Sequence, residues 1–377
     1  MNRPIAALTL GALLITSLGA ARTPGGAPLN ITAIIGLSGR YAILGEPERN
    51  AMQLAEQSVN RTGGINGRPL HIDILDDEGK PDVAVQLATD AVAHGSLAII
   101  CGNSNASSSA VARVTTAANV LQIFMTPAAD IWDTPHGVVH NIFQTTPRNE
   151  VEIPALLDFA QGKLKMKRAA ILYDENTYGS TGAQLLTAAS KARNFSIVES
   201  QSYPGNASDF TPQLVKIRAA DPDVVFLYGS ASAPPLAVRN MRQLGMNVPI
   251  VGTVGIVSQN FLVVASKDGE GVYADTNLNL TYPDPVQRAF IYDYRRVYKA
   301  GAVNFSAFAY DAVALTAWAL RASKGAGGEA AIAALEHMPP QTLTTGTFKF
   351  TTADHNGIST QDVHIVRDRN QVWETLR

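Results

Sequence analysis

The sequence predicts an α/β protein of two Rossmann-like lobes, each a parallel sheet flanked by helices, and three observations carry that prediction. A chain of 377 residues that is 46% hydrophobic exceeds one compact domain and has enough apolar material for more than one core. Short apolar runs of strand length alternate with stretches of helical spacing, which is the pattern of a parallel sheet covered on both faces. The alternation also starts afresh after Pro147, a gross duplication and not a short-period repeat.

The elements follow in order. Residues 1–21 read as a Sec-type signal peptide: Arg3 supplies a positive charge before the apolar run 5–18, and the small residues Gly19, Ala20 and Ala21 suit cleavage near Arg22. The run is shorter than the ~20 apolar residues a membrane span needs. No cysteine stands directly after it and no later stretch is long enough to cross a bilayer, so the mature chain is expected to be periplasmic and soluble, without a lipid-modified N-terminus or stable membrane insertion. After a linker at 23–28, the first unit has a strand at 31–37, a helix opened by Pro47, and the Gly-rich turn 63–67. A strand at 70–75, a helix at 81–94, a buried strand at 97–101, a Ser-rich helix start and a strand at 122–125 complete it. The second unit repeats the order, with strands at 169–173, 197–202, 224–228 and 249–252 and helices at 178–193, 211–220 and 234–244. Helical segments at 285–299 and 306–322 are expected to cover the first lobe, and short β pieces at 347–376, around the turn His355-Asn356-Gly357, to edge the second. The expected lobes are therefore 30–146 plus 276–341, and 147–275 plus 342–377.

Charge and motifs narrow the function. With 30 Lys+Arg against 32 Asp+Glu, a net charge of −2 and no basic cluster interleaved with aromatics, nucleic acid is not an expected partner. Cys101 is the only cysteine, which excludes an intramolecular disulfide, and its place at the end of an apolar run reads as a buried thiol. Gly102-Asn103-Ser104-Asn105-Ala106 sits between strand and helix like a hydrolase elbow, but the motif's last glycine is missing and no Asp and His partners can be placed. Ser104, Ser107, Ser108 and Ser109 instead surround a helix N-terminus, where free N–H groups and hydroxyls receive a carboxylate; simple capping accounts equally well for any one of them. Gly36-Leu37-Ser38-Gly39 lacks dinucleotide spacing, no Walker sequence occurs, and no cofactor is expected. His136 and His140 fall in a turn and strand and not on one helix face, and Asp76-Asp77-Glu78 has no histidine beside it, so neither metal nor acid–base chemistry is indicated. Arg40-Tyr41 follows the first strand at the carboxyl end of the sheet, where open α/β sheets bind ligands; Arg40 there is either a carboxylate clamp or an ordinary surface residue.

Taken together, residues 31–39, the Gly-Gly-Ile-Asn-Gly turn, Asp76-Asp77, the strand and serine loop at 99–109, Thr126-Pro127-Ala128-Ala129, Tyr173-Asp174 through Tyr178-Gly179, and Ala309-Tyr310-Asp311-Ala312 resemble the leucine/isoleucine/valine-binding protein family of periplasmic solute receptors. The resemblance runs from about residue 30 to the end. It implies the periplasmic binding protein type I fold, two lobes joined by three crossovers, a small-molecule solute in the cleft, and hinge closure that presents the complex to ABC permease subunits. It implies no enzyme activity.

Carried over residue by residue, the family's carboxylate-holding segments fall on Ala106, Ser107 and Ser108 and on Ala128, Ala129 and Asp130. Arg40, Tyr41 and Leu44 stand with them, and Tyr178 matches a cleft-lining tyrosine across from them. Where amino-acid binders place an aromatic, this chain has Ser230-Ala231-Ser232, and where they place the acidic partner of the α-ammonium it has Val254. A buried ammonium without its anion is costly. The expected ligand is therefore an aromatic or aliphatic carboxylic acid, provided Asp130 turns away from it or pairs with Arg40. The alternatives are an amino acid or amide bound for transport or sensing and, more distantly, a serine hydrolase.

Overall fold

A computed structural model describes residues 24–376, so the expected signal peptide lies outside the described residues. The first sheet has the order β2-β1-β3-β4-β7, all parallel, from β1 (Leu29–Ile35), β2 (Leu70–Asp76), β3 (Ala98–Cys101), β4 (Leu121–Phe124) and β7 (Ile142–Gln144). A two-stranded hairpin, β5 (Asp133–Thr134) with β6 (Gly137–Val138), interrupts the path from β4 to β7. All four β3 residues and six of seven in β1 are buried, as expected of strands covered on both faces. One face packs α1 (Ala42–Arg61); the other packs α2 (Pro81–Ala93) and α3 (Asn105–Ala118) around Ile34, Ile99, Phe124 and Trp132.

The second sheet has the order β16-β15-β12-β11-β10-β8-β9. Its parallel part comprises β8 (Arg168–Asp174), β9 (Ser196–Tyr203), β10 (Val224–Tyr228), β11 (Ile250–Gly252) and β12 (Tyr273–Thr276). The helices of this unit are α4 (Asn149–Asp158), α5 (Thr177–Ala192), α6 (Thr211–Ala219), α7 (Ala233–Gln243) and α8 (Gln259–Ala265). Two antiparallel strands, β15 (His364–Asp368) and β16 (Trp373–Thr375), close its edge.

Between β12 and β15 the chain returns to the first unit. Phe290 and Tyr294 of α9 (Pro285–Tyr298), Phe308 and Leu315 of α10 (Asn304–Ala322), and Ile332 of α11 (Glu329–Glu336) complete the first core. The hairpin of β13 (Gln341–Thr342) and β14 (Thr347–Phe348) follows, and Phe348, Phe350 and Ile358 join the same core. His355 stacks on Phe143 with ring centroids 4.1 Å apart. The apolar side chains of 348–358 thus belong to the first core, and the chain rejoins the second sheet at β15, later than the boundary expected at 342. The first helix also differs from expectation: it begins at Ala42, with Pro47 inside it. A single turn, Gly39–Tyr41, leads into it and turns Arg40 and Tyr41 over the sheet end. Gly45 permits this close entry, because a Cβ there would lie 2.1 Å from the Gly36 carbonyl oxygen.

Candidate ligand-binding cleft

The carboxyl ends of both sheets border a cavity of about 270 Å³. The first unit lines it with Tyr41 and Leu44, with Asn103, Ser104, Asn105 and Ala106 after β3, with Met125, Thr126 and Pro127 after β4, and with Thr146 after β7. The second unit supplies Glu175, Asn176, Thr177 and Tyr178 after β8, Ser230 after β10, and Val254 and Gly255 after β11. Phe305 and Phe308 of α10 add an aromatic wall.

The β3–α3 turn is held from below. Asn103 adopts φ +35°, its Oδ1 accepts from Gly36 N at 3.2 Å, and its Nδ2 donates to Glu48 Oε2 at 2.8 Å. Glu48 is fully buried, and burial pushes its carboxyl well above the usual range, with the Asn103 amide pulling it the other way. Ser104 caps α3, its Oγ accepting from Ser107 N at 3.3 Å. Asn105 and Ala106 open α3, where backbone N–H groups have no intrahelical partner and favour an anion.

On the opposite wall, the Tyr178 hydroxyl donates to Thr253 Oγ1 at 2.6 Å and its ring lies 5.0 Å from that of Tyr228. The Tyr228 hydroxyl stands 2.6 Å from Asn149 Oδ1 and 2.9 Å from Glu152 Oε2. Behind Val254, Glu152 and Asp275 are two buried carboxyl groups beside each other. Burial pushes both above the usual range, and the neighbouring Glu152 charge raises Asp275 further, so the pair holds on to a proton more tightly than free carboxyl groups do.

Among the described residues no Lys, Arg or His lines the cavity, and its one ionisable carboxylate, Glu175, is exposed at the rim. Of the residues singled out from sequence, Tyr41, Leu44, Ser104, Ala106, Tyr178, Ser230 and Val254 come together as lining. Ser107 and Ser108 do not line the cavity; they lie buried deeper in the first turns of α3, with Ser107 beside Asp77. Ala128, Ala129 and Asp130 do not line it either: β4 ends at Phe124, Met125-Thr126-Pro127 crosses the sheet end first, and the turn Ala129–Ile131 carries the exposed Asp130 to an outer groove beside Arg113. Arg40 is paired with Asp174 and is not part of the lining. Ala231, at φ +68°, packs on Tyr41, Leu44 and Phe305, while Ser232 is exposed at the start of α7. Sequence reasoning missed Asn103, Met125, Thr126, Thr146, Asn176, Phe305 and Phe308 as lining; the available signal was position, since most of them follow directly on a strand's carboxyl end.

The family description "periplasmic binding protein" matches residues 28–369. The chain belongs to that family. It is 26% identical to the Leu/Ile/Val-binding protein BraC3 of Rhizobium johnstonii over 74% of this chain and 76% of that one. It is 24% identical to Leu/Ile/Val-binding protein homolog 3 of Brucella melitensis over 65% of this chain and 66% of that one, so this second match spans about two thirds of the relative. Among solved structures, a periplasmic binding protein type 1 from Bordetella pertussis matches with TM-score 0.83 and 25% identity, covering 93% of this chain and 99% of that one. A solute-binding protein of an ABC transporter from R. palustris, in complex with benzoate, matches with TM-score 0.81 and 20% identity over 93% of this chain and 96% of that one. The fold is thus that of type I periplasmic binding proteins, and the chain is a binding protein and not an enzyme.

Proposed function

We propose that this chain is the periplasmic, exported solute-binding component of an ABC uptake transporter, and that it holds a small aromatic or aliphatic carboxylic acid between its two α/β units. The observation that carries the ligand class is Val254: the cavity wall at that place presents an alkyl group, while the opposite wall presents the N-terminus of α3. The carboxylate is received by the free N–H groups at Asn105 and Ala106, and the apolar body lies against Tyr41, Met125, Phe305 and Phe308. Asp130 faces away from the cavity and does not oppose an anion there. Among the proteins to which the chain is similar, one solved structure holds benzoate, which fits this reading. The two units act as lobes that close about the connections after β7, after β12 and before β15.

Two observations favour an amino acid instead. Glu175 at the rim is an anion within the lining, and the relatives' names refer to leucine, isoleucine and valine. Mass spectrometry of the ligand released on denaturing the purified protein separates the two: a carboxylic acid without an amine supports the proposal, and an amino acid overturns the ligand class while leaving the transport reading intact.

A further inference from the structure

Arg40 and Asp174 belong to different α/β units, 134 residues apart in sequence. Arg40 lies in the single turn after β1, and Asp174 is the last residue of β8. We propose that Arg40 is a positioning residue, a latch whose ion pair with Asp174 draws the Tyr41 wall onto the second unit and sets how long a loaded cleft stays closed. This rests on the reading that the cleft binds a solute.

The pair is built for that contact. The Asp174 side chain is 0% exposed and that of Arg40 only 30%, so the pair that joins the two units is largely withdrawn from water. The other Asp174 oxygen accepts from the backbone N of Asn176, a cleft residue, at 3.1 Å. The guanidinium sits against Gly205, where a Cβ would lie 1.8 Å from Nη1, so the second unit leaves a seat of the right size. It also lies 5.0 Å from the centre of the Tyr41 ring. That ring packs against Ala231 of the second unit, and its hydroxyl lies beside Ser104 of the first unit and Asn176 of the second. Two adjacent residues therefore join the units through an ion pair and an aromatic plug. If the units part, Arg40 and Asp174 rehydrate and the pair is lost. Because Arg40 does not line the cavity, its effect falls on closure and not on the choice among ligands.

Pulsed EPR between spin labels at Asp73→Cys on β2 and Ser196→Cys on β9, both exposed edge-strand positions, reads the separation of the units in the full mature chain. Without ligand, Arg40→Gln and Asp174→Asn should each shift the distances outward, and the double variant should shift them no further, whereas Arg40→Lys should lie between. With benzoate as the probe, Arg40→Gln should speed dissociation by about tenfold or more while leaving the affinity ratio of benzoate to phenylacetate unchanged. Unchanged ligand-free distances in both single variants, or additive shifts, would overturn the latch. So would loss of benzoate binding in Arg40→Gln with closure intact, which would return Arg40 to the ligand. If the native chain does not bind benzoate, the ligand proposal is weakened while the ligand-free distances still decide the latch.

Discussion

Replacing Asp275 by asparagine should stabilise the protein increasingly as pH rises. Asp275 on β12 and Glu152 on α4 are 0% and 1% exposed. Their described charged and titratable neighbours are Tyr228 and Tyr178, with no cation among them. Burial and the neighbouring carboxylate raise Asp275 well above the usual range, so the folded protein keeps a proton that the unfolded chain releases near pH ~4. From that pH upward the folded state binds more protons than the unfolded one, and stability falls by about 1.4 kcal/mol for each pH unit until the pair itself ionises. The Asp275→Asn amide imitates the protonated acid, donates to Glu152 and does not titrate. Its advantage over the native chain should therefore grow as pH rises above the unfolded value, by up to about 1.4 kcal/mol per unit for as long as the folded pair holds its proton, and each kcal/mol is worth about 2 °C in a chain of this size. Thermal melts of both proteins at rising pH measure the divergence. Parallel curves would refute the shared-proton account, since a merely structural effect of the substitution would be independent of pH.

Two further outcomes test other parts of the structure. Asp311 on α10 accepts from Thr344 N and Oγ1 at 3.0 and 2.7 Å and from Thr345 N and Oγ1 at 2.9 and 2.6 Å, so Asp311→Ala should cost roughly 3–5 kcal/mol by stranding two buried amides; urea unfolding would show it. Cys101 is 2% exposed and burial pushes its thiol up, so a disulfide reagent should label it only at the rate of unfolding, and fast labelling of the native protein would contradict its place at the end of β3.

The sheets were legible because parallel strands buried on both faces write continuous apolar runs, and β1, β3, β8 and β10 all do so. The serine loop was legible as a helix start, but not how far into α3 the cleft reaches: Ser104 to Ala106 line it while Ser107 and Ser108 turn inward, a distinction set by helical rotation and the direction of approach. The segment after β4 that the resemblance carried over, Ala128 to Asp130, lies three residues beyond the lining Met125 to Pro127, since a resemblance fixes the order of segments better than their register and a shift of three residues exchanges cleft for outer surface. Phe305 and Phe308 follow the same helical period whether they face the core or the cavity. Arg40 shows the deepest limit: its partner lies in the other sheet, and no local pattern announces an ion pair across the fold.

The central claim is that this cleft prefers an acid without an α-amino group, and calorimetry with benzoate, phenylacetate, phenylalanine and leucine tests it most directly. Because the wall at Val254 presents an alkyl group and no acidic side chain to the cavity, the account predicts at least about tenfold tighter binding of one of the two plain acids than of either amino acid. Tighter binding of leucine or phenylalanine, lost on Glu175→Gln, would contradict it.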